Sequence, residues 1–171
     1  MMAEYWDLYD ANRNFLGRTI KRGEPFGENE FYVCCEVWIV NSKNQMLVTQ
    51  RHPDKKAGGQ WEFTGGGVLA GETTKLAAVR EVKEELGVCV DETELSLLET
   101  YAHKNYFMDI YVLRKDLSED EIVLDENEVV DWKWVSADEI EQLIETGQMV
   151  RSVGMRYRMY GNTIYTDFTL M

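Results

Sequence analysis

Residues 65–88 read GGGVLAGETTKLAAVREVKEELGV, and the rest of the chain is best interpreted outward from this stretch. The segment from Thr73 to Leu86 lacks proline and is rich in Ala, Leu, Glu and Lys, which predicts a helix that Gly87 ends at a C-cap position. Three glutamates share one face of this helix: Glu81, Glu84 and Glu85. Like-charged neighbours on a helix cost roughly 0.2–0.5 kcal/mol per pair, so we expect another group to offset their repulsion.

The opposite face of the predicted helix is apolar. Helical periodicity groups Leu76, Val79, Val82 and Leu86 on that side. The pattern therefore predicts an amphipathic helix with one face packed on the protein and the other rich in carboxylates. An isolated E-x-x-E-E face is more often only solvated, so a site needs a second observation.

Glycines just before the helix supply that observation. Gly65, Gly66 and Gly67 are consecutive and Gly71 precedes Glu72, so the backbone there can adopt conformations closed to other residues or let a ligand approach closely. Several carboxylates together are the hard oxygen ligands that Mg²⁺ or Mn²⁺ prefers. We therefore expect divalent ions on the glutamate face, where they would replace repulsion by attraction and receive a polyphosphate.

The spacing of these residues resembles a known motif. Gly66, five residues, Glu72, seven residues, and then REVKEELGV (80–88) match the Nudix box at each of its constrained positions. The resemblance implies an α/β fold, the Nudix-type α/β/α sandwich with a central mixed β-sheet. It also implies a Mg²⁺-dependent or Mn²⁺-dependent pyrophosphohydrolase that cleaves a diphosphate bond in a nucleoside diphosphate linked to another moiety.

The resemblance also implies roles for the box residues. Glu81, Glu84 and Glu85 would be metal ligands, and one of them would also polarise the attacking water. Glu72 would support the loop and the metal, and the carbonyl group of Gly66 commonly ligates a metal in the family.

Two more catalytic roles follow from the same resemblance. Arg80 would orient a helix glutamate through a charge-assisted hydrogen bond. In Nudix hydrolases a further acid often precedes a strand with a Trp-Val pair, here Trp134-Val135. Glu128 is the candidate for this extra ligand or base and Glu126 is the alternate, while a simple solubilising role for both acids stays open.

Substrate contacts are expected from the segment before the box. Arg51, Lys55 and Lys56 belong to a strand end and loop that should lie near the metal face, where they could bind phosphates. Trp61 could stack on a base. The alternatives are solvated basic residues and a tryptophan that fills the core.

The remaining elements are predicted from hydrophobic alternation and turn residues. Residues 4–22 and the pair 31–40 with 45–51 are expected to form two hairpins, and residues 95–103 and 105–114 an antiparallel pair. Residues 131–135 predict a short strand. Ser136, Glu139 and Gly147 indicate the N-cap, capping box and stop of a second helix. The tail 148–171 is ambiguous, since its first part could be helical and NTIYTDFTLM alternates like a strand.

Composition limits the partners of the chain. Its 171 residues suit one domain, 1–171, and a net charge of −13 argues against nucleic acid and anionic membranes as partners. We therefore expect a small phosphorylated molecule as substrate and, without an apolar span, a cytoplasmic protein. Three cysteines do not indicate a disulfide framework. The N-terminal hairpin within residues 1–22 is a candidate dimerisation element, so a homodimer is one expectation.

Other functions share parts of this pattern. Residues 7–10 (DLYD) and the basic loop 51–56 resemble isopentenyl-diphosphate isomerase. That enzyme has a catalytic cysteine between the strand tryptophan and the box, where this chain has Thr64, Gly65 and Gly66 and no cysteine. Coenzyme A pyrophosphatases are similar only in part upstream of the box, because Thr64 stands where a proline is usual and the spacing of the basic residues differs. A silent nucleotide-binding Nudix module usually loses box glutamates, and this chain keeps them. The sequence therefore favours the pyrophosphohydrolase.

Overall fold

A seven-stranded mixed β-sheet forms the centre of the computed structural model, which describes residues 3–166. The strands are β1 (Tyr5–Tyr9), β2 (Phe15–Lys21), β3 (Tyr32–Val40), β4 (Met46–Arg51), β5 (Trp61–Glu62), β6 (Thr64–Gly67), β7 (Leu95–His103), β8 (Tyr106–Arg114) and β9 (Val129–Val135). The helices are α1 (Thr74–Leu86), α2 (Ala137–Glu145) and α3 (Arg151–Thr166), with short 3₁₀ turns at Glu92–Glu94 and Glu119–Glu121. The strands β1 and β2 form a separate two-stranded sheet, as predicted for the N-terminal hairpin.

Strand β3 organises the sheet. It runs parallel to β8 and antiparallel to the glycine strand β6, with Cys34 opposite Gly67 and Cys35 opposite Gly66. Strand β7 pairs antiparallel with β8, as expected. The predicted hairpin of β3 and β4 is confirmed at its turn, where Val40 pairs with Met46. Beyond that pair, β4 forms hydrogen-bonded pairs with β5 and β9, so most of β3 and most of β4 lie in different parts of the sheet.

Helices cover both faces of the sheet, which confirms the predicted α/β/α sandwich. On one face, α1 packs Val82 and Leu86 into an apolar cluster that includes Val37 of β3. On the other face, Ile140 of α2 and Tyr157 of α3 pack in a second cluster. Because both faces are covered, the side chains of β3 from Val37 to Val40 are almost fully buried.

Helix α1 has the predicted ends but a different buried face. The Thr73 hydroxyl accepts a hydrogen bond from the Leu76 backbone N–H at 3.2 Å, and Gly87 ends the helix with φ of 71°. The prediction that Leu76 is buried is wrong, since 45% of it is exposed, whereas Glu85 is only 5% exposed. Glu85 lies three residues from the buried Val82 and so shares its face, while Leu76 lies about a third of a turn away from it.

The C-terminal part resolves an ambiguity of the sequence. Helix α2 begins at the Ser136 capping box as predicted. Helix α3 extends to Thr166, so the interpretation of residues 162–166 as a strand is wrong. The rest of the ambiguous tail lies outside the described residues. Val153, Tyr157 and Ile164 are buried at helical spacing, which explains why the helix continues. Within residues 3–166, no helix is long and apolar enough to cross a membrane.

The N-terminal hairpin docks on the loop between β6 and α1. The backbone N–H of Ala70 donates to the carbonyl oxygen of Tyr5 at 2.8 Å. The N–H of Gly71 donates to the carboxylate of Asp7, also at 2.8 Å. These bonds place β1 directly beside the glycine loop, and the start of the chain therefore forms one wall of the region that the Nudix-like motif occupies.

Candidate active site

A cleft of about 200 Å³ opens where β6 meets α1. Four of the acidic residues predicted for the site line it: Glu81, Glu84, Glu85 and Glu128. The glycine strand forms its floor, and the carboxyl group of Glu81 packs so closely against Gly66 that a Cβ there would overlap it. The absence of a side chain at residue 66 therefore gives Glu81 its place in the cleft.

Glu85 is the most unusual acid of the cleft. Its side chain is buried, and its Oε2 atom has no hydrogen-bond partner among the described residues. Burial raises the pKa of Glu85 well above its usual value, and the nearby carboxylates of Glu62 and Glu81 raise it further. A buried carboxylate oxygen without a hydrogen-bond partner is costly, so this oxygen is the kind of group that a cation would stabilise.

Arg80 ties three glutamates to the glycine loop. Its guanidinium donates to Glu72 at 3.0 Å, to Glu81 at 2.7 Å and to Glu84 at 2.9 Å. It also donates to the carbonyl oxygen of Gly67 at 2.9 Å. Burial by itself would lower the pKa of Arg80, but its carboxylate partners outweigh burial and raise the pKa above the usual value. The geometry needed for an orienting arginine is therefore present.

The donor set has the chemistry of a site for Mg²⁺ or Mn²⁺. Carboxylate and carbonyl oxygens are the ligands these hard cations prefer, and Glu85 offers one without a hydrogen-bond partner in the part of the chain that the structure describes. No three acidic, histidine or cysteine side chains within residues 3–166 are already arranged around a common point as metal ligands. Glu81 and Glu84 instead form ion pairs with Arg80. Arg80 donates to one oxygen of each carboxylate, so each would keep its second oxygen for the metal.

Basic residues surround the acidic centre, and each has a partner. Arg51 donates to both carboxylate oxygens of Glu62, at 2.5 and 2.7 Å. Lys55 forms an ion pair with Glu128, which brings these two predicted residues together beside the glutamates. Burial lowers the pKa of Lys55.

Two predicted substrate residues do not line the cleft. Lys56 lines a second cavity of about 380 Å³ rather than the cleft. Trp61 is in the core, 8% exposed, with the ammonium of Lys133 at 4.2 Å from its ring centre, and it lines neither the cleft nor the second cavity. The core-filling alternative for Trp61 is therefore the one that the structure favours.

The second cavity adjoins the cleft. The two share Arg22, Arg51 and the glycines of β6 as lining residues. Trp6 and Tyr32, which stack at a centroid distance of 4.6 Å, form part of its wall. Cys34 also lines it, and burial raises the pKa of this thiol to about 12.

Three residues of this region are not predicted from the sequence. Glu4 and Arg22 line the cleft although they lie far from the motif along the chain, and no local pattern indicates them. Glu62 had a weak signal, because strand alternation puts it on the face opposite the buried side chains of Trp61 and Phe63.

Comparisons with known proteins agree with the geometry. Residues 33–153 match the model of the NUDIX domain. An uncharacterised Nudix hydrolase of Listeria monocytogenes is 34% identical over 149 residues, which cover 86% of this chain and 88% of the relative. The NAD-capped RNA hydrolase of Vibrio vulnificus is 28% identical over 119 residues, which cover 70% of this chain and 44% of that protein.

A solved structure supports the same assignment. The crystal structure of a Deinococcus radiodurans protein superposes with a TM-score of 0.72 at 25% identity, covering 86% of this chain and 92% of that one. The domain match spans most of the sheet, most of both clusters and the whole glutamate motif. The chain belongs to the Nudix hydrolase family and is a hydrolase that acts on phosphorus-containing anhydrides.

Proposed function

We propose that this protein is a pyrophosphohydrolase dependent on Mg²⁺ or Mn²⁺. Its substrate would be a nucleoside diphosphate linked to another moiety, such as a nucleoside triphosphate, a nucleotide sugar or ADP-ribose. The observation that carries the proposal is a buried carboxylate oxygen of Glu85, without a hydrogen-bond partner among residues 3–166, in a cleft with four further glutamates. The name of the Vibrio vulnificus relative, a hydrolase of NAD-capped RNA, supports a nucleotide anhydride as the substrate class.

The acidic residues would hold the metal. Glu81, Glu84 and Glu85 are its expected ligands, with the carbonyl group of Gly66 and Glu128 as further donors. The metal would lower the pKa of a bound water and neutralise charge on the phosphate oxygens. Glu72 does not line the cleft but accepts hydrogen bonds from Arg80, and it would act by supporting the loop.

The remaining residues would position groups and move a proton. Arg80 holds Glu72, Glu81 and Glu84 together, so it limits the repulsion among these carboxylates before the metal arrives. Glu128, held by Lys55, is the candidate to accept the proton that the attacking water loses. Arg51 would contact substrate phosphates by sharing its guanidinium with Glu62.

The test is a substrate panel with Mg²⁺, read as phosphate released after a coupling phosphatase. Glu84→Gln and Glu85→Gln are expected to lose at least about a hundredfold in kcat, because each removes a charged donor from the centre. Glu145→Gln, an exposed glutamate of α2, is the matched control and should keep full activity.

Three outcomes would contradict the proposal. Full activity of both Glu84→Gln and Glu85→Gln would disprove the metal-site assignment. Isomerisation of isopentenyl diphosphate, included in the panel, would replace the hydrolase function. Tight nucleotide binding without turnover of any member would indicate a silent binding module instead.

A further inference from the structure

We propose that the N-terminal hairpin completes the substrate site and that Arg22, at its end, binds a phosphate group of the substrate. This inference rests on the proposed function and makes it more specific. It assigns a binding role to a segment that lies outside the Nudix domain match at residues 33–153. Four observations carry it: the docking of the hairpin, the place of Arg22, the partners of the other cations, and the lining of the second cavity.

The hairpin is held in place within the same chain. Strand β1 is tied to the loop after β6 by the bonds of Tyr5 and Asp7 already described. The indole of Trp6 lies directly against Gly67, where a Cβ would overlap it. The backbone N–H of Arg22 donates to the carbonyl oxygen of Glu4 at 2.9 Å, which fixes the end of the hairpin beside β1. Arg22 is therefore positioned relative to the glycine strand.

Arg22 lies at the junction of the two cavities. It lines both the glutamate cleft and the larger second cavity, together with Arg51 and the glycines of β6. Consider a substrate whose diphosphate is cut at the glutamates and whose remaining part occupies the second cavity. Such a substrate must span the junction of the two cavities. Its phosphates then come within the reach of Arg22.

Among the cations that line the cleft, Arg22 is the one most able to change partner. Arg80 is shared by three glutamates, Arg51 is bound to both oxygens of Glu62, and Lys55 is paired with Glu128. Arg22 pairs with Glu4 at 2.7 Å, but 62% of its side chain and 37% of that of Glu4 are exposed. Exposed ion pairs contribute little, whereas arginine binds phosphate oxygens in a bidentate manner, so the exchange is favourable.

The second cavity suits the remainder of a nucleotide. Trp6 and Tyr32 bring stacked aromatic rings to its wall, and Met108 and Val153 add apolar surface. Aromatic and apolar walls with a few polar groups are typical of small-molecule sites. Because Trp6 and Arg22 both come from the hairpin, this segment supplies an aromatic wall and a cation to the same ligand.

The experiment measures binding and turnover separately. Binding of α,β-methylene ADP, an analogue that resists cleavage between its phosphates, is followed by calorimetry with Mg²⁺ present, and steady-state kinetics use the best substrate of the panel. Arg22→Gln is expected to raise both the Kd and the KM about tenfold with little change in kcat. Arg22→Lys should recover part of the loss, because it keeps the charge but not the planar fork.

The control is Arg18→Gln, which removes a similarly exposed arginine of β2 that pairs with Glu30 and does not line the cleft. It should leave Kd, KM and kcat unchanged, and Mg²⁺ affinity measured without nucleotide should be unchanged in all three variants. Equal Kd values for Arg22→Gln, Arg18→Gln and the unaltered protein would overturn the role of Arg22. Absence of nucleotide binding and turnover in the unaltered protein would instead overturn the proposed function itself.

Discussion

Arg13, in the turn between β1 and β2, donates to both carboxylate oxygens of Asp109 in β8, at 2.7 and 2.6 Å. Asp109 is buried, with 4% of its surface exposed, and also accepts a hydrogen bond from Thr100 at 2.8 Å. The hairpin is thus fastened to the sheet at its turn as well as at the glycine loop, and this second attachment can be tested on its own.

Replacing Arg13 by Met should destabilise the protein by about 2 kcal/mol, because it leaves the buried carboxylate of Asp109 without its charged partner. Urea unfolding measures the loss. Arg158→Met is the comparison, since Arg158 forms an exposed ion pair with Glu141, and it should leave the unfolding midpoint nearly unchanged. Equal midpoints for the two variants would show that the turn is not held by this ion pair.

The same ion pair predicts a dependence on pH. Burial alone would raise the pKa of Asp109, but hydrogen bonds from Arg13 and other donors outweigh it and hold the pKa below the usual 3.8. A carboxylate with a lowered pKa stabilises the folded state above pH 3.8 and loses that contribution as the pH falls through its folded pKa. The stability difference between the unaltered protein and Asp109→Asn should therefore be largest near neutrality and shrink as the pH falls below 3.8. A constant difference would contradict the ionic interpretation.

A second buried pair joins β3 to α3. Arg156 donates to both oxygens of Glu36, and 4% of each side chain is exposed. Arg156→Met should cost roughly 3–5 kcal/mol, because it leaves a buried charge uncompensated. The double variant Glu36→Gln with Arg156→Met should lose less, since the amide oxygen still accepts the hydrogen bond from the Trp38 indole. Unfolding free energies measure both, and a double variant less stable than Arg156→Met alone would refute the argument.

Two neighbouring glycines should respond differently to alanine. A Cβ at Gly65 would overlap the backbone carbonyl of Cys35, whereas at Gly66 it would meet the movable carboxyl group of Glu81. Gly65→Ala should therefore lose stability by about 2 kcal/mol. Gly66→Ala should lose less stability but at least about tenfold in kcat, because it displaces Glu81 from the cleft. Thermal unfolding and steady-state kinetics separate the two effects, and identical behaviour would contradict the assignment.

Glu85 is expected to lower the stability of the metal-free protein and to bind the metal. In the absence of metal, Glu85→Gln is expected to stabilise the protein by about 1 kcal/mol, because folding buries a carboxyl group that is costly to ionise and whose Oε2 atom lacks a partner among the described residues. Excess Mg²⁺ should raise the Tm of the unaltered protein more than that of the variant, since a ligand stabilises the state that binds it. Scanning calorimetry with EDTA or Mg²⁺ checks both statements. An equal Tm increase in the two proteins would exclude Glu85 as a ligand.

Local interactions explain what could be predicted. The ends of α1 at Thr73 and Gly87 and the capping box of Ser136 and Glu139 depend on residues within four positions of one another. Strand alternation likewise predicted β7 and β8, whose two strands are neighbours along the chain. Strand β9 begins at Val129, two residues before the predicted start at residue 131, because pairing with Arg51 extends it.

The sequence by itself determined the family, the reaction class and the order of most elements, because the glutamate motif and the helix caps are recorded in short, fixed spacings. Only the tertiary structure decided that Glu85 is buried, that Arg80 holds three carboxylates, and that Arg22 reaches the cleft. Burial and ion pairing depend on which distant segments the sheet brings together. Hydrophobic periodicity describes one element at a time, so it carries no information about that assembly.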